Sequence, residues 1–255
     1  MKIAVVTGAS SGMGREFVLA LEKEYRTQLD EIWVIARRKE QLEKLQSIVR
    51  IPRRVFAIDL MDSMEYENYV KALEQEKPKV WIRVNGAGMG KIGDFTQISR
   101  QGNLSMVDLN CQVLTKVTYD TLPFMKSGSK IVNLASASAF LPQPGFGVYA
   151  ASKSYVLSFS KFLYWEQRKG GIHVMAVCPG PVDTEFFQGA EEFQKMAPYK
   201  KHFLKNPKKV VDKAIKDMKK GKTTSVYGCS MIALGIVTKL LPDNLILGIM
   251  NQLSR

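Results

Sequence analysis

Ser136, Tyr149 and Lys153 are the residues whose types and spacing could do chemistry. Tyr149 and Lys153 stand four apart in Tyr149-Ala150-Ala151-Ser152-Lys153, so a helix stacks them one turn apart on one face. An ammonium beside a phenol favours the phenolate and lowers a pKa that is otherwise about 10, which makes the tyrosine a usable acid or base at neutral pH. A serine hydroxyl aimed at the same spot could hold a substrate oxygen. Tyrosine and lysine four apart are also common on amphipathic helices, where the ring packs on the core and the amine is solvated. The trio acquires meaning only if other elements bring a ligand to it.

The elements that must position it alternate. Ile3-Ala4-Val5-Val6 reads as a buried strand, Thr7-Gly8-Ala9-Ser10-Ser11-Gly12-Met13-Gly14 as a tight turn, and Phe17, Val18, Leu21 and Tyr25 as one face of a helix. Gly8, Gly12 and Gly14 let the backbone turn sharply and approach a pyrophosphate, with Ser10, Ser11 and Met13 between them, while the helix N-terminus offers free N–H groups. A glycine-rich turn between strand and helix is the context that such a site requires. Ile32-Trp33-Val34-Ile35 is the next strand and ends at Arg37 and Arg38, about where an adenosine ribose would lie. An acidic residue there would receive the ribose hydroxyls of NAD; two arginines suit a 2'-phosphate, so NADP(H) is expected over NAD(H). For Arg38 a solvated side chain is the competing reading.

A helix with Leu42, Leu45 and Val49 leads to the strand Val55–Ile58, which ends in Asp59-Leu60, with Asp59 placed for an adenine amino group. A helix carrying Tyr66, Tyr69, Val70 and Leu73 leads through Pro78 to a strand over 80–84 that closes in Asn85-Gly86-Ala87-Gly88. A long helical stretch around Asn110 and a strand over 130–134 then deliver Ser136. This alternation predicts an α/β, doubly wound Rossmann fold with a mainly parallel sheet, and 255 residues suit one domain over 1–255. Ligands of such sheets collect at the carboxyl ends of the strands. The glycine turn, Arg37, Asp59, Asn85, Ser136 and Pro179-Gly180 would share that rim.

A hydrophobic fraction of 45% with 24% charged residues excludes a disordered or fibrous chain. Cys111, Cys178 and Cys229 are scattered and share no metal-ligand spacing with His173 or His202, so they read as buried thiols in a reducing compartment, with no metal site. The opening apolar run is too short for an export signal, and a cytoplasmic protein is expected. The formal charge is +13, and the stretch from Lys195 to Lys222 holds eleven lysines against two aspartates, nine of the thirteen charges. Stacking aromatics and nucleic-acid motifs do not accompany the run, so nucleic-acid binding is not expected. It reads as a solvated helix face, with an anion-attracting rim beside a substrate site as the alternative.

Taken together, the glycine-rich turn, Asn85-Gly86-Ala87-Gly88, Asn110, Ser136, Tyr149 to Lys153 and Pro179-Gly180-Pro181-Val182-Asp183-Thr184 resemble the short-chain dehydrogenase/reductase family over roughly residues 1–185. The resemblance implies a seven-stranded doubly wound fold and hydride transfer between a nicotinamide and a carbonyl or secondary alcohol. It implies that Tyr149 is the general acid in reduction and base in oxidation and that Ser136 holds the substrate oxygen. Lys153 would lower the tyrosine pKa and bind the nicotinamide ribose, and Asn110 would hold a water linking Lys153 to solvent. Val182 and Thr184 would meet the carboxamide, Leu60, Ala87 and Gly88 would line the cofactor, and a homodimer or homotetramer is expected. Ser136 has the family's thirteen-residue spacing to the tyrosine, and Ser138 does not. Gly86 stands where the family usually has a second asparagine, so a side chain credited with bracing the sheet is missing.

Residues from Thr184 to about Pro207 should cover the substrate, within a cover and basic segment over about 184–225. Phe186, Phe187, Phe193, Met196 and Tyr199 are candidate apolar lining or, for about half of them, core contacts of the cover. They suggest a lipophilic ketone or alcohol such as a steroid, a bile acid or a 3-oxoacyl compound, and the lysines admit an anionic one. The apolar tail over 229–255 is interrupted by Lys239, Pro242, Asp243 and Asn244, short of a spanning helix. It should bury against a second subunit or in the substrate wall, or else seat on an anionic bilayer, which liposome sedimentation separates. A catalytically silent dinucleotide-binding sensor or scaffold is the alternative to an enzyme; the complete Asn-Ser-Tyr-Lys set argues against it.

Overall fold

The computed structural model describes residues 1–191, 193–195, 204–242 and 244–248. The short apolar runs become strands β1 (Lys2–Thr7), β2 (Glu31–Ala36), β3 (Arg53–Ala57), β4 (Lys79–Asn85), β5 (Lys130–Leu134), β6 (His173–Pro179) and β7 (Thr224–Tyr227). They form one seven-stranded sheet, every pairing parallel, in the order β3-β2-β1-β4-β5-β6-β7. Ile3 to Val6 and Ile32 to Ile35 are wholly buried, because a parallel sheet covered on both faces has no solvent side.

One face is covered by α1 (Gly12–Tyr25) and α8 (Pro207–Lys219), which bring Phe17, Val18 and Leu21 against Val210, Val211, Ala214 and Ile215. The other is covered by α3 (Ser63–Glu76), α5 (Leu114–Thr121) and α6 (Gly147–Gln167), with Tyr69, Leu73, Val117, Val156 and Leu163 in its core. The remaining helices are α2 (Lys39–Glu43), α4 (Arg100–Val107), α7 (Phe186–Ala190) and α9 (Cys229–Leu240). The helical stretch around Asn110 is not continuous α-helix, since a π turn over Asp108–Val113 separates α4 from α5. The chain winds from β1 toward β3 and then restarts on the other side of β1 at β4. A crevice therefore opens between the carboxyl ends of β1 and β4.

The lysine run is largely the outer face of α8. Asn206 caps this helix by accepting from the Lys209 amide and Pro207 starts it, while Val210, Val211, Ala214, Ile215 and Met218 face the core. Lys208 pairs with Asp212 at 2.8 Å, Lys222 with Asp217 at 3.0 Å, and Lys219 with Glu24. Lys200, Lys201 and His202 lie outside the described residues.

The brace expected from position 86 comes from its neighbours. Asn85 Nδ2 donates to Asn133 Oδ1 (2.7 Å) and Thr118 Oγ1 (2.9 Å), and Asn133 Nδ2 donates to Ser160 Oγ (2.9 Å), which ties β4 and β5 to α5 and α6. Arg83 Nε donates to Asn85 Oδ1 at 2.8 Å and Nη1 to Tyr69 Oη at 3.3 Å, all inside the protein. A Cβ on Gly86 would lie 2.6 Å from the Thr7 carbonyl oxygen, so this packing has room only for glycine there.

Among the described residues no helix is long and apolar enough to cross a membrane, and no cluster of metal-ligating side chains occurs. The cysteines are free, but burial holds for only part of the set: Cys178 is buried, Cys111 half-buried, and Cys229 exposed at the start of α9. That helix leaves Ile232, Ile236, Val237 and Leu240 exposed.

Candidate active site

A cleft of about 1510 Å³ occupies the crevice. Its floor at one end is the glycine turn, with Gly8, Ser10, Ser11, Gly12, Met13 and Gly14 all lining it. Gly8 and Gly12 take left-handed φ values of +68° and +51°, and a Cβ on Gly14 would lie 2.1 Å from the Gly8 carbonyl oxygen. Thr7 Oγ1 accepts from the amides of Gly86 (3.0 Å) and Ala87 (3.2 Å) and so binds the end of β4 to the turn. Ser11 makes no side-chain cap for α1, so the N–H groups of its first turn are left for a ligand. A glycine cradle beneath an uncapped helix N-terminus fits a pyrophosphate.

Arg37, Arg38, Asp59 and Leu60 line the cleft beyond the turn, past the carboxyl ends of β2 and β3. Arg37 Nη1 lies 3.8 Å from Asp59 Oδ2, while Arg38 Nη1 reaches Glu185 Oε2 at 2.8 Å and Nη2 reaches Ser10 Oγ at 3.4 Å. Ala87, Gly88, Pro179, Gly180, Val182 and Thr184 continue the lining toward the trio. Thr184 lies across from Gly12, whose Cβ, if present, would be 3.3 Å from it.

Ser136 follows β5 and caps the 3-10 turn Ala137–Phe140, its Oγ accepting from the Ser138 amide at 3.1 Å. Tyr149 and Lys153 both lie on α6, are buried, and reach the cleft beside it. Burial raises the Tyr149 pKa and Ser136 is the hydrogen-bonding neighbour that lowers it; Ser138, which also lines the cleft, orients the Ser136 hydroxyl through its backbone amide. Lys153 Nζ donates to the Leu134 carbonyl oxygen at 2.8 Å and lies 5.6 Å from the Tyr149 ring centroid.

Two expected residues stand behind the wall. The Asn85 side chain turns into the interior network described above instead of the cleft. Asn110 accepts from the Met89 amide (2.9 Å) and donates to the Met89 carbonyl oxygen (2.8 Å) and to Ser152 Oγ (2.9 Å), which pins the segment after β4 to α6. Gly88 runs between Asn110 and Lys153: its Cβ would be 3.1 Å from Asn110 Oδ1 and 3.3 Å from Lys153 Nζ.

The other end of the cleft is apolar. Phe146 stacks on the Tyr149 ring with centroids 4.2 Å apart, and Phe186 tilts against it at 5.4 Å. Gly90 packs beneath all three rings, where a Cβ would be 2.6 Å from Phe186 Cζ. Met231 and Leu234, on the inner side of α9, close this end. Of the cover residues named from sequence, Phe186 and Phe187 line the cleft, and Phe193 is exposed away from it with Lys91 Nζ over its ring at 5.3 Å. Met196 and Tyr199 lie outside the described residues. Among the described lysines of the run only Lys195, paired with Glu191 at 3.5 Å, lines the cleft; Lys205 pairs through its backbone with Pro181 and Asp183 behind the lining, and those from 208 to 222 sit on or just after α8. Sequence reasoning passed over Phe146, Gly90 and Glu185, while Met231 and Leu234 belong to the apolar tail for which the substrate wall was one of the expected places. Phe146 carried a signal, three positions before Tyr149 and hence one helical turn away; Gly90 and Glu185 carried none.

A family model described as short chain dehydrogenase matches residues 2–195. The chain belongs to the short-chain dehydrogenase/reductase family. An uncharacterized oxidoreductase of Staphylococcus epidermidis is 30% identical over 192 residues, which is 74% of this chain and 82% of that protein. A sulfoacetaldehyde reductase of Chromohalobacter salexigens is 32% identical over 187 residues, 71% of this chain and 72% of that one. In fold, a short-chain dehydrogenase from Sphingobium yanoikuyae in complex with NADPH is similar with a TM-score of 0.77 at 24% identity, covering 98% of this chain and 96% of its own. The chain is thus an oxidoreductase of this family.

In this short-chain dehydrogenase/reductase the electrostatics of the trio differ from the simple expectation that the lysine lowers the tyrosine pKa. Burial pushes the Tyr149 phenol up to about 12, and the group that opposes the rise is the Ser136 hydrogen bond, because Lys153 has lost its charge before the phenol titrates. Burial likewise brings Lys153 down to about 8 from its ordinary 10.5. Between those values the folded chain holds a neutral amine while the unfolded chain still binds the proton, so this group makes stability rise with pH from about 8 to 10.5. Tyr149 acts oppositely: above its ordinary 10 the unfolded chain loses a proton that the folded chain keeps, and stability falls toward 12. Lys153→Met removes the buried charge. Its stability relative to the parent should therefore be greatest below pH 8 and decline by on the order of 3 kcal/mol by pH 10. Urea unfolding at pH 7 and 9.5 checks this; a difference that does not change with pH would contradict the buried-amine account.

Proposed function

We propose that this oxidoreductase interconverts a lipophilic ketone and its secondary alcohol with NADP(H), and that Tyr149 moves the proton. One observation carries the reading: Ser136, Tyr149 and Lys153 share a cleft with the glycine cradle at one end and the Phe146–Phe186–Met231–Leu234 wall at the other. The nicotinamide, when bound, supplies or accepts the hydride. Tyr149 Oη gives its proton to the carbonyl oxygen in reduction and takes the hydroxyl proton in oxidation. Ser136 Oγ holds the same oxygen and the phenol in one line of hydrogen bonds. Lys153 holds the nicotinamide ribose, and below about pH 8, where it keeps its charge, it favours the phenolate needed for oxidation. Asn110 fixes Met89 and Ser152 around that amine, and the second acceptor position of its Oδ1 serves the water that links Lys153 to solvent. Arg37 and Arg38 favour a 2'-phosphate at the adenosine end.

The apolar wall supports a steroid, bile acid or 3-oxoacyl substrate, while the name of the sulfoacetaldehyde reductase relative brings in short anionic aldehydes. Absorbance of NADPH or NADH over a panel holding a steroid ketone, a medium-chain 3-oxoacyl thioester and sulfoacetaldehyde separates these. Turnover is expected with a lipophilic ketone and with NADPH ahead of NADH. If no carbonyl consumes reduced cofactor although the dinucleotide binds, the silent sensor is the better reading.

A further inference from the structure

Arg38 and Glu185 lie 147 positions apart in sequence and meet across the mouth of the cleft. Arg38 stands just before α2, at the carboxyl end of β2, and its second nitrogen also reaches Ser10 in the glycine turn. Glu185 stands just before α7, in the segment that leaves β6. Both side chains line the cleft, and with 48% and 55% of their surfaces exposed both are open to a ligand. We propose that Glu185 is a cofactor-specificity residue that competes with the 2'-phosphate of the dinucleotide for Arg38. The proposal rests on the NADP(H) reading.

A phosphate between Arg37 and Arg38 gains two guanidinium partners, whose planar forks match its oxygens. Arg37 is held only loosely by Asp59, at 3.8 Å. Arg38 is bound at 2.8 Å to a carboxylate that repels the same phosphate, so the phosphate must draw Arg38 away from Glu185 before it gains the second fork. A dinucleotide without the phosphate leaves the bridge intact. An exposed pair is weak enough to exchange in this way, and its weakness bounds the effect. Glu185 thus restrains a preference that the two arginines alone would make steeper.

Calorimetric binding of 2',5'-ADP and 5'-AMP to the parent and to Glu185→Gln tests this without turnover. The variant should bind 2',5'-ADP about fivefold more tightly and 5'-AMP within a factor of about two of the parent. The gain should shrink as salt rises. Equal shifts for both ligands, or none, overturn the role of Glu185. A parent that binds 2',5'-ADP no better than 5'-AMP instead overturns the NADP(H) reading, and whether Glu185→Gln then gains for 2',5'-ADP alone still decides the competition.

Discussion

Tyr149→Phe is expected to lower kcat for carbonyl reduction by about three orders of magnitude and to leave dinucleotide affinity nearly unchanged. The substitution deletes one hydroxyl and keeps the ring, so the stack on Phe146 at 4.2 Å and the contact with Phe186 at 5.4 Å survive. What goes is the proton donor and its hydrogen bond with Ser136. With the phenol at about 12, the parent keeps its proton throughout the neutral range, so reduction should be nearly flat from pH 6 to 9 while alcohol oxidation climbs with pH. Steady-state rates with the best carbonyl of the panel, together with dinucleotide binding by fluorescence, measure both parts. Unchanged turnover in the variant would falsify the assignment of the proton to Tyr149.

Gly14→Ala should cost about 3 kcal/mol of stability and abolish measurable dinucleotide binding. Its new methyl would stand 2.1 Å from the Gly8 carbonyl oxygen and 3.2 Å from the Ala9 amide nitrogen. These obstacles are backbone, so no side-chain rotation relieves them, and either α1 moves out or the turn opens. Each displaces the N–H groups that face the cleft. The corresponding fall in Tm is roughly 6–12 °C. Gly147→Ala is the control, since nothing lies within 4 Å of its Cβ position and it occupies the first turn of α6, where alanine is the better residue. If the two variants melt alike, the closed packing of the turn is wrong.

Strand positions were legible because both faces of a parallel sheet are covered: each became an apolar run bounded by turn residues, and the 130–134 strand appears with those bounds. The glycine turn was legible for the same reason that it works, since few other sequences allow that backbone. Arg83 and Asn133 were harder. A polar residue inside an apolar strand announces a buried partner but not its identity, and theirs lie up to 48 positions away. The π turn over Asp108–Val113 holds Asn110, whose three bonds reach Met89 and Ser152, and no local pattern encodes such distant partners. Met231 and Leu234 share α9 with the exposed Ile232 and Ile236. A run of apolar residues does not say which side will wall a cleft.

The tight fit of Gly8, Gly14 and Gly86 against one another's backbone also divides the protein's tolerance of mutation. At these three positions any added side chain meets main chain, so they are closed to gradual change. At the other end of the cleft, the lining comes from three separate segments, through Phe146, Phe186 and the α9 pair Met231 and Leu234. On the proposed assignment of the two ends, a lineage starting from this chain can therefore exchange one substrate for another in single steps while its grip on the dinucleotide stays as it was.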